Sequence, residues 1–296
     1  MSADASLSDS AVLSVTPGPH LVSGSLTTRR MMADVLIALL PVVLASALMF
    51  RGAALRQIGL AVVAALAAET LFLALRGRRA PLGDFSALVT GMILGLSIPP
   101  LSPWYVPVIG SIMAIGLGKV LFGGLGQNIF NPAMVGRAFV MIAFPAAMGA
   151  AAYLLPACTT DSVTTATPLT AWKMSSEPTA LRLLFLGITS GSVGETSAFA
   201  CLLGGLYLCL RRTASWEIPA GAIAAVLAVS GTATLLHPGA PWTVAHHLFS
   251  GAFLLGAFFI LTDPVSSPLT PRGKFIFGVG YGLLVLLIRR LSGYPE

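Results

Sequence analysis

Nine apolar stretches run through this chain, and they constrain its fold more than any other feature. They cover residues 32–50, 57–75, 85–98, 105–122, 133–155, 196–210, 218–236, 247–261 and 275–288. A helix crossing a bilayer needs about 20 mostly apolar residues. Most of these stretches approach that length; the third and eighth are short. Both short stretches run into proline, at Ser97-Ile98-Pro99-Pro100 and at Thr262-Asp263-Pro264. Charge supports the reading. Only 9% of the 296 residues are charged and 56% are hydrophobic, whereas soluble domains carry roughly 25% and 45–50%. Such a surface cannot be covered with charge, so a water-soluble globule, a disordered chain and a nucleic-acid-binding domain are excluded. The expected fold class is an all-α polytopic membrane protein of about nine transmembrane helices. Its first partner is the lipid bilayer, with no nucleic acid.

The net charge of +6 comes from 17 Lys and Arg scattered along the chain. Such sparse cations mark helix ends. With the N-terminus in the cytoplasm, 11 of the 17 fall on cytoplasmic loops and flanks and six fall outside, which satisfies the positive-inside rule. Residues 1–30 are polar, Ser/Thr-rich and lack an apolar core, so they read as a disordered cytoplasmic tail rather than a signal peptide. The same orientation puts the long loop 156–182 on the outer face.

The chain also repeats itself. Leu96-Ser97-Ile98-Pro99-Pro100-Leu101-Ser102-Pro103 parallels Leu261-Thr262-Asp263-Pro264-Val265-Ser266-Ser267-Pro268, 165 positions later. Each follows a short span and precedes a glycine-bearing one. If five helices form a unit, an odd number, the second unit begins inverted, and inverted repeats with broken helices are a known membrane architecture. The expected layout is a first repeat over 31–155, the outer loop over 156–182, and a second repeat over 183–296 that lacks its last helix.

Some residues invite chemistry. Asn128 and Asn131 flank a break before a helix; Asn131-Pro132 suits an N-cap followed by proline, and free amides there also suit a ligand edge. Gly191, Gly194 and Glu195 precede a helix, as an anion-receiving turn or as a plain helix start. Charges within spans are costly and therefore functional candidates. Glu69 is the sharpest: either part of a proton or sodium path or a structural pair with Lys119. Asp263 sits at the broken helix; it and Asp34 read as interfacial caps, and His246-His247 as an interfacial anchor. Cys158, Cys201 and Cys209 show no CxxC spacing and no HExxH occurs, so neither a disulfide framework nor a metal site is indicated. No residue is expected to act as a catalytic nucleophile or base.

The threonine-rich loop around Cys158–Thr170 reads by composition as a polar connector. In detail, Asp161-x-x-Thr164-x-Ala166-Thr167 followed by Pro168-Leu169 resembles a flavinylation motif. That motif belongs to the family shared by the D subunit of the Rnf electron-transport complex and the B subunit of the sodium-pumping quinone reductase. Thr165 stands where the motif has glycine. Gly126-Gln127-Asn128-Ile129-Phe130-Asn131-Pro132-Ala133-Met134-Val135-Gly136-Arg137-Ala138-Phe139, Gly191-Ser192-Val193-Gly194-Glu195-Thr196-Ser197 and Thr262-Asp263-Pro264-Val265-Ser266-Ser267-Pro268 are similar to three further signatures of the same family. The resemblance runs from about Met32 to the end, and size favours the Rnf relative.

The resemblance implies ten helices in two inverted five-helix repeats, with FMN esterified to Thr167 and Asp161, Thr164 and Ala166 as the rest of the motif. It implies a second, non-covalent flavin (riboflavin) towards the cytoplasm, for which Asn128 and Asn131 are candidates, with Gly191 and Glu195 as further cofactor-binding candidates. Electrons would pass between the flavins, coupled to Na⁺ or H⁺ movement, with Glu69, Lys119 and Asp263 as a possible ion path. The implied partners are the other Rnf components: the G flavoprotein, the A and E membrane proteins, and the B and C proteins. The implied place is the bacterial inner membrane, with the flavinylated loop periplasmic. The rival class is a solute channel or transporter, which shares broken helices and inverted repeats but has no use for the threonine motif.

Overall fold

The structure is a computed structural model, and it describes residues 27–77, 82–149, 152–153, 166–195, 197–239 and 241–292. Among the described residues all regular structure is helical. The elements are α1 (Thr28–Phe50), α2 (Gly52–Leu75), α3 (Ser86–Leu96), α4 (Tyr105–Ile115), α5 (Pro132–Ala143), α6 (Pro168–Ser175), α7 (Leu181–Leu186), α8 (Ala198–Leu210), α9 (Glu217–Leu236), α10 (Val244–Phe249), α11 (Phe253–Leu255) and α12 (Pro271–Leu291). Helices α1, α2 and α9 are long and apolar enough to cross a membrane by length and composition. On α1, Leu40, Leu44 and Leu48 repeat every fourth residue and are 49%, 62% and 76% exposed. In water that stripe would be a large apolar patch; in a bilayer it is the face that meets the acyl chains. The chain is a multi-pass membrane protein.

Lipid tails are as apolar as leucine, so helices gain little by hiding leucine from them, and close van der Waals packing must hold the bundle together. Glycine supplies it here. A methyl built at Gly136 of α5 would lie 2.4 Å from the Gly110 carbonyl oxygen of α4. One at Gly278 or Gly282 of α12 would lie 2.1 Å or 2.6 Å from a carbonyl oxygen of α9. One at Gly204 of α8 would lie 2.0 Å from the Ala38 carbonyl oxygen of α1. These helix pairs touch backbone to backbone.

Several sequence boundaries move. The tail was expected to run to residue 30, but α1 already begins at Thr28, because the Thr27 hydroxyl accepts from the Arg30 amide and caps it. Residues 1–26 lie outside the described residues. The fifth span was expected over 133–155, but α5 stops at Ala143. Pro145 follows Phe144, and the residue before a proline is disfavoured in the helical region; Phe144 sits at φ −131° and ψ 56°. The loop 156–182 contains a helix, α6, and α7 follows at its edge. The eighth span is not continuous: α10 and α11 are separated at Ser250-Gly251-Ala252.

Both proline breaks are held by side chains and backbone from elsewhere. At the first, the Gln57 amide donates to the carbonyls of Pro100 (3.2 Å) and Ser102 (2.5 Å). The Val193 and Gly194 amides donate to the carbonyls of Ile98 and Leu96 at 3.1 Å and 2.6 Å. At the second, Asp263 accepts from the Val265 amide and the Ser266 hydroxyl, and the Asn131 amide reaches the Ile260 carbonyl at 3.4 Å. Carbonyls freed by a break in lipid need such donors.

Candidate functional site

A cavity of about 70 Å³ opens at the α1 N-terminal end of the bundle. Its apolar wall includes Met31, Val35, Val89, Ile93 and Phe259. Its polar rim includes Thr90, Lys119, Asn128, Asn131, Thr213 and Asp263. Four of the site residues expected from sequence, Asn128, Asn131, Lys119 and Asp263, therefore meet in one place although 144 positions separate the extremes. Apolar walls with a few convergent polar groups are the usual form of small-molecule sites.

Two wide helical turns border this cavity. The chain from Gly116 to Val120 continues α4 as a π-turn, and Gly256–Ile260 continues α11 in the same way. Each closes with an amide bonded five residues back, Leu121 to Gly116 and Leu261 to Gly256, both at 2.9 Å. Such π-turns occur mostly as single turns and frequently at functional sites. Here they turn Lys119 and Phe259 towards the cavity. The glycines have a local cause too. A methyl at Gly256 would lie 2.1 Å from the Tyr281 hydroxyl, and one at Gly116 would lie 3.0 Å from the Phe72 ring.

Lys119 and Glu69 are paired. The ammonium lies 2.5 Å from Glu69 Oε1 and 2.5 Å from the Ser86 hydroxyl. The side chains of Lys119 and Glu69 are 3% and 2% exposed. Of the two roles open to Glu69, the structural pair is formed, and because Lys119 lines the cavity the pair also delivers a charge to its wall. Ser86 is positioned by Asp84, which accepts from its amide and its hydroxyl. Sequence reading did not single out Ser86, which is one serine among many with no spacing to mark it.

Asn131 does what its Asn-Pro context predicts: its Oδ1 accepts from the Ala133 amide at 3.0 Å and caps α5. Asn128 donates to the Phe130 carbonyl at 3.1 Å. Its Oδ1 is buried and has no hydrogen-bond partner, an acceptor held at the cavity without a donor. Buried polar atoms normally find partners, so this one calls for a ligand donor.

Gly191 and Glu195 lie elsewhere. The amides of Val193, Gly194 and Glu195 donate to Ile98, Leu96 and Ser192, which leaves those three amides no hydrogen for an anion. A methyl at Gly194 would lie 2.8 Å from the Leu96 side chain, so close packing on the first break explains that glycine. Glu195 pairs with Arg137 of α5 at 3.1 Å, a partner that sequence distance concealed. Asp34 is also not a cap: it is buried within α1 and accepts from Tyr207, Arg211 and Thr213, tying α1 to the end of α8. His246 anchors α10, with Nδ1 at Thr243 and Nε2 at the Thr179 carbonyl.

Thr167 is the N-cap of α6. Its hydroxyl accepts from the Thr170 amide at 3.4 Å and lies 3.0 Å from the Thr170 hydroxyl. Pro168 occupies the first helical position, and the Ala166 carbonyl accepts from Ser190 at 2.8 Å. Asp161 and Thr164, with Thr165, lie outside the described residues.

A sequence profile described as the NQR2, RnfD, RnfE family matches residues 14–296. Among similar proteins, one from Acetobacterium woodii is named as the D subunit of a Na(+)-translocating ferredoxin:NAD(+) oxidoreductase complex. It is 39% identical over 289 residues, covering 96% of this chain and 87% of the relative. Two more are named as the D subunit of an ion-translocating oxidoreductase complex. The one from Aeromonas hydrophila is 38% identical and the one from Yersinia pseudotuberculosis 40% identical; each alignment covers 91% of this chain and 87% of the relative.

Proposed function

The chain belongs to the NQR2, RnfD, RnfE family, and from that premise we propose that it is the flavin-bearing membrane component of an ion-translocating oxidoreductase complex. In this reading Thr167 carries FMN as a phosphate ester, and the cavity at Asn128 and Asn131 holds a second flavin, riboflavin. The observation that carries the reading is the buried Asn128 Oδ1, which has no hydrogen-bond partner. An isoalloxazine has one polar edge bearing an N–H and carbonyls, and a flat apolar remainder. The cavity matches that division: amides and hydroxyls on one rim, Val89, Ile93 and Phe259 on the wall.

A bound isoalloxazine supplies the ability to accept and release electrons one or two at a time. The chain's own residues do the rest. Asn128 and Asn131 orient the polar edge. Met31, Val35 and Phe259 keep water from it. Lys119, fixed by Glu69 and Ser86, presents a positive charge that favours negative charge in the cavity. Asp263 offers a carboxylate at the same wall, and with Glu69 and Lys119 it makes up the proposed route for Na⁺ or H⁺. At the other site, Thr167 stands at a helix N-terminus, where a phosphate is favoured by free amides and the helix dipole. Its hydroxyl must leave its bond to Thr170 before it can be esterified.

The proposed layout is two inverted five-helix repeats. In support, the two breaks lie towards opposite ends of α1. Ser46 of α1 donates to Val193 beside the first break, while Met31 and Met32 share the cavity with Thr262 and Asp263 of the second. At 1.5 Å per residue, Met32 and Ser46 are about 21 Å apart along the helix. The orientation proposed is N-terminus cytoplasmic and Thr167 periplasmic, in a bacterial inner membrane. The G flavoprotein would exchange electrons at the outer face, with the A, B, C and E proteins completing the complex.

The test is flavin fluorescence of the denatured chain in a gel, together with flavin extracted by acid from the folded chain. Wild type made with a flavin transferase is expected to give both a fluorescent band and free riboflavin. Thr167→Ala removes the band alone, and Asn128→Leu removes the extractable flavin alone. A wild-type chain that is dark in the gel and releases no flavin overturns the reading and turns attention to solute transport.

A further inference from the structure

A second cavity, of about 390 Å³, lies at the other end of the bundle between α6, α9, α10 and α12. It has a composition unlike the first. Lys173 of α6 and Arg289 and Arg290 of α12 line it, and among the described lining residues there is no carboxylate. Trp172 and Trp242 stack at one side with ring centroids 5.0 Å apart. Leu169, Val229 and Leu286 give it an apolar floor.

The three cations are not equivalent. Arg289 is buried and holds the fold, donating to the carbonyls of His247 (2.5 Å) and Ser250 (2.6 Å). Lys173 donates to the Ser292 carbonyl, which uses one of its three hydrogens. Arg290 is exposed and makes no hydrogen bond or ion pair with the described residues. Helix-dipole compensation accounts for a cation in the last turn of α6 and of α12 alike, but not for the two turns meeting at one cavity whose described lining has no carboxylate. Basic pockets between membrane helices on the cytoplasmic side bind acidic lipid headgroups; the same charge attraction operates at this end of the bundle, the outer one in the proposed orientation, and tryptophans concentrate at headgroup level at both interfaces. A soluble anion has no use for the apolar floor; a lipid with acyl chains does.

We propose that this cavity is a binding site for the phosphodiester headgroup of an acidic phospholipid, with Lys173 and Arg290 as its ligands and the tryptophan pair as its side wall. The lipid bridges α6 to the end of α12. Since α6 begins at Thr167, it braces the segment that carries that threonine, whether or not the threonine is modified.

The full chain is purified in detergent, and retained lipid is measured by native mass spectrometry after exchange into phosphatidylcholine with or without phosphatidylglycerol. Wild type is expected to retain phosphatidylglycerol in preference. Lys173→Gln/Arg290→Gln should weaken retention roughly ten- to thirtyfold, as expected for two cations at a headgroup. The charge-keeping pair Lys173→Arg/Arg290→Lys should retain it, and so should Arg272→Gln at the opposite end of α12. Both altered cations are exposed, and helix content by circular dichroism checks that the variants fold. Equal retention by wild type and the Gln variant overturns the proposal. So does a thermal shift from inorganic phosphate alone, in phosphatidylcholine, that matches the shift from phosphatidylglycerol, since the ligand would then be a free anion.

Discussion

Lys119→Met is the substitution whose cost the structure defines best. The ammonium sits 2.5 Å from both Glu69 Oε1 and the Ser86 hydroxyl, and the two charged side chains are 3% and 2% exposed. Removing Lys119 leaves Glu69 with no cation, while its Oε2 already has no hydrogen-bond partner. Lys119 lines the cavity, but Glu69 does not. The stranded carboxylate is therefore not rescued by solvent, and the cost belongs at the level of a broken buried ion pair, about 3–5 kcal/mol. Ser86 loses less, because Asp84 still accepts from its hydroxyl at 2.7 Å. The double variant Lys119→Met/Glu69→Met removes both charges and is expected to fall within about 1 kcal/mol of wild type or above it, since apolar replacement of a whole buried pair is often neutral or stabilising. Unfolding by sodium dodecyl sulfate in mixed micelles, followed by tryptophan fluorescence, gives the four corners of the cycle. A cost for Lys119→Met below about 1 kcal/mol, or a double variant costing the sum of the singles, would refute the reasoning.

Other outcomes follow from individual contacts. Gly136→Val should separate α4 from α5 and lower the unfolding free energy by several kcal/mol, since a methyl there would lie 2.4 Å from the Gly110 carbonyl oxygen; Gly59→Ala, with nothing within 4 Å, should not lower it in the same titration. Gln57→Leu removes the donor to Ser102 and one of two donors to Pro100, whose carbonyl keeps Arg56 at 3.4 Å, and should cost about 1–3 kcal/mol for the Ser102 carbonyl left without a partner. Thr167→Ser keeps both the cap and the hydroxyl and should preserve gel fluorescence, whereas Thr167→Ala should lose it and also about 1 kcal/mol of α6 capping, seen as faster proteolysis near Ser176.

The helical class and the membrane setting are legible in the chain because they depend on local counts: apolar length, scarcity of charge, proline position. The capping role of Asn131 is legible for the same reason, since Asn-Pro before an apolar run carries its own geometry. The premature end of α5 was written in Phe144-Pro145 as well, but the apolar run to residue 155 concealed it, since hydropathy does not register a helix break.

Which charged residues find each other is a different matter. Glu69 and Lys119 are 50 positions apart, Arg137 and Glu195 are 58, and Asp34 and Arg211 are 177. A buried charge must be compensated, so each of these residues announces that it needs a partner; only the packing of the helices says which. The glycine contacts decide that packing, because in lipid the helices meet where small residues let backbones approach. Those contacts bring Asn128, Lys119 and Asp263 to one cavity and leave Glu195 facing Arg137 instead. Helix packing also assembles the second basic cavity from Lys173 and Arg290, which share no motif. Local pattern thus determined the elements and their solvent, and tertiary packing decided the sites, because a site is a set of distances between residues that the chain itself keeps far apart.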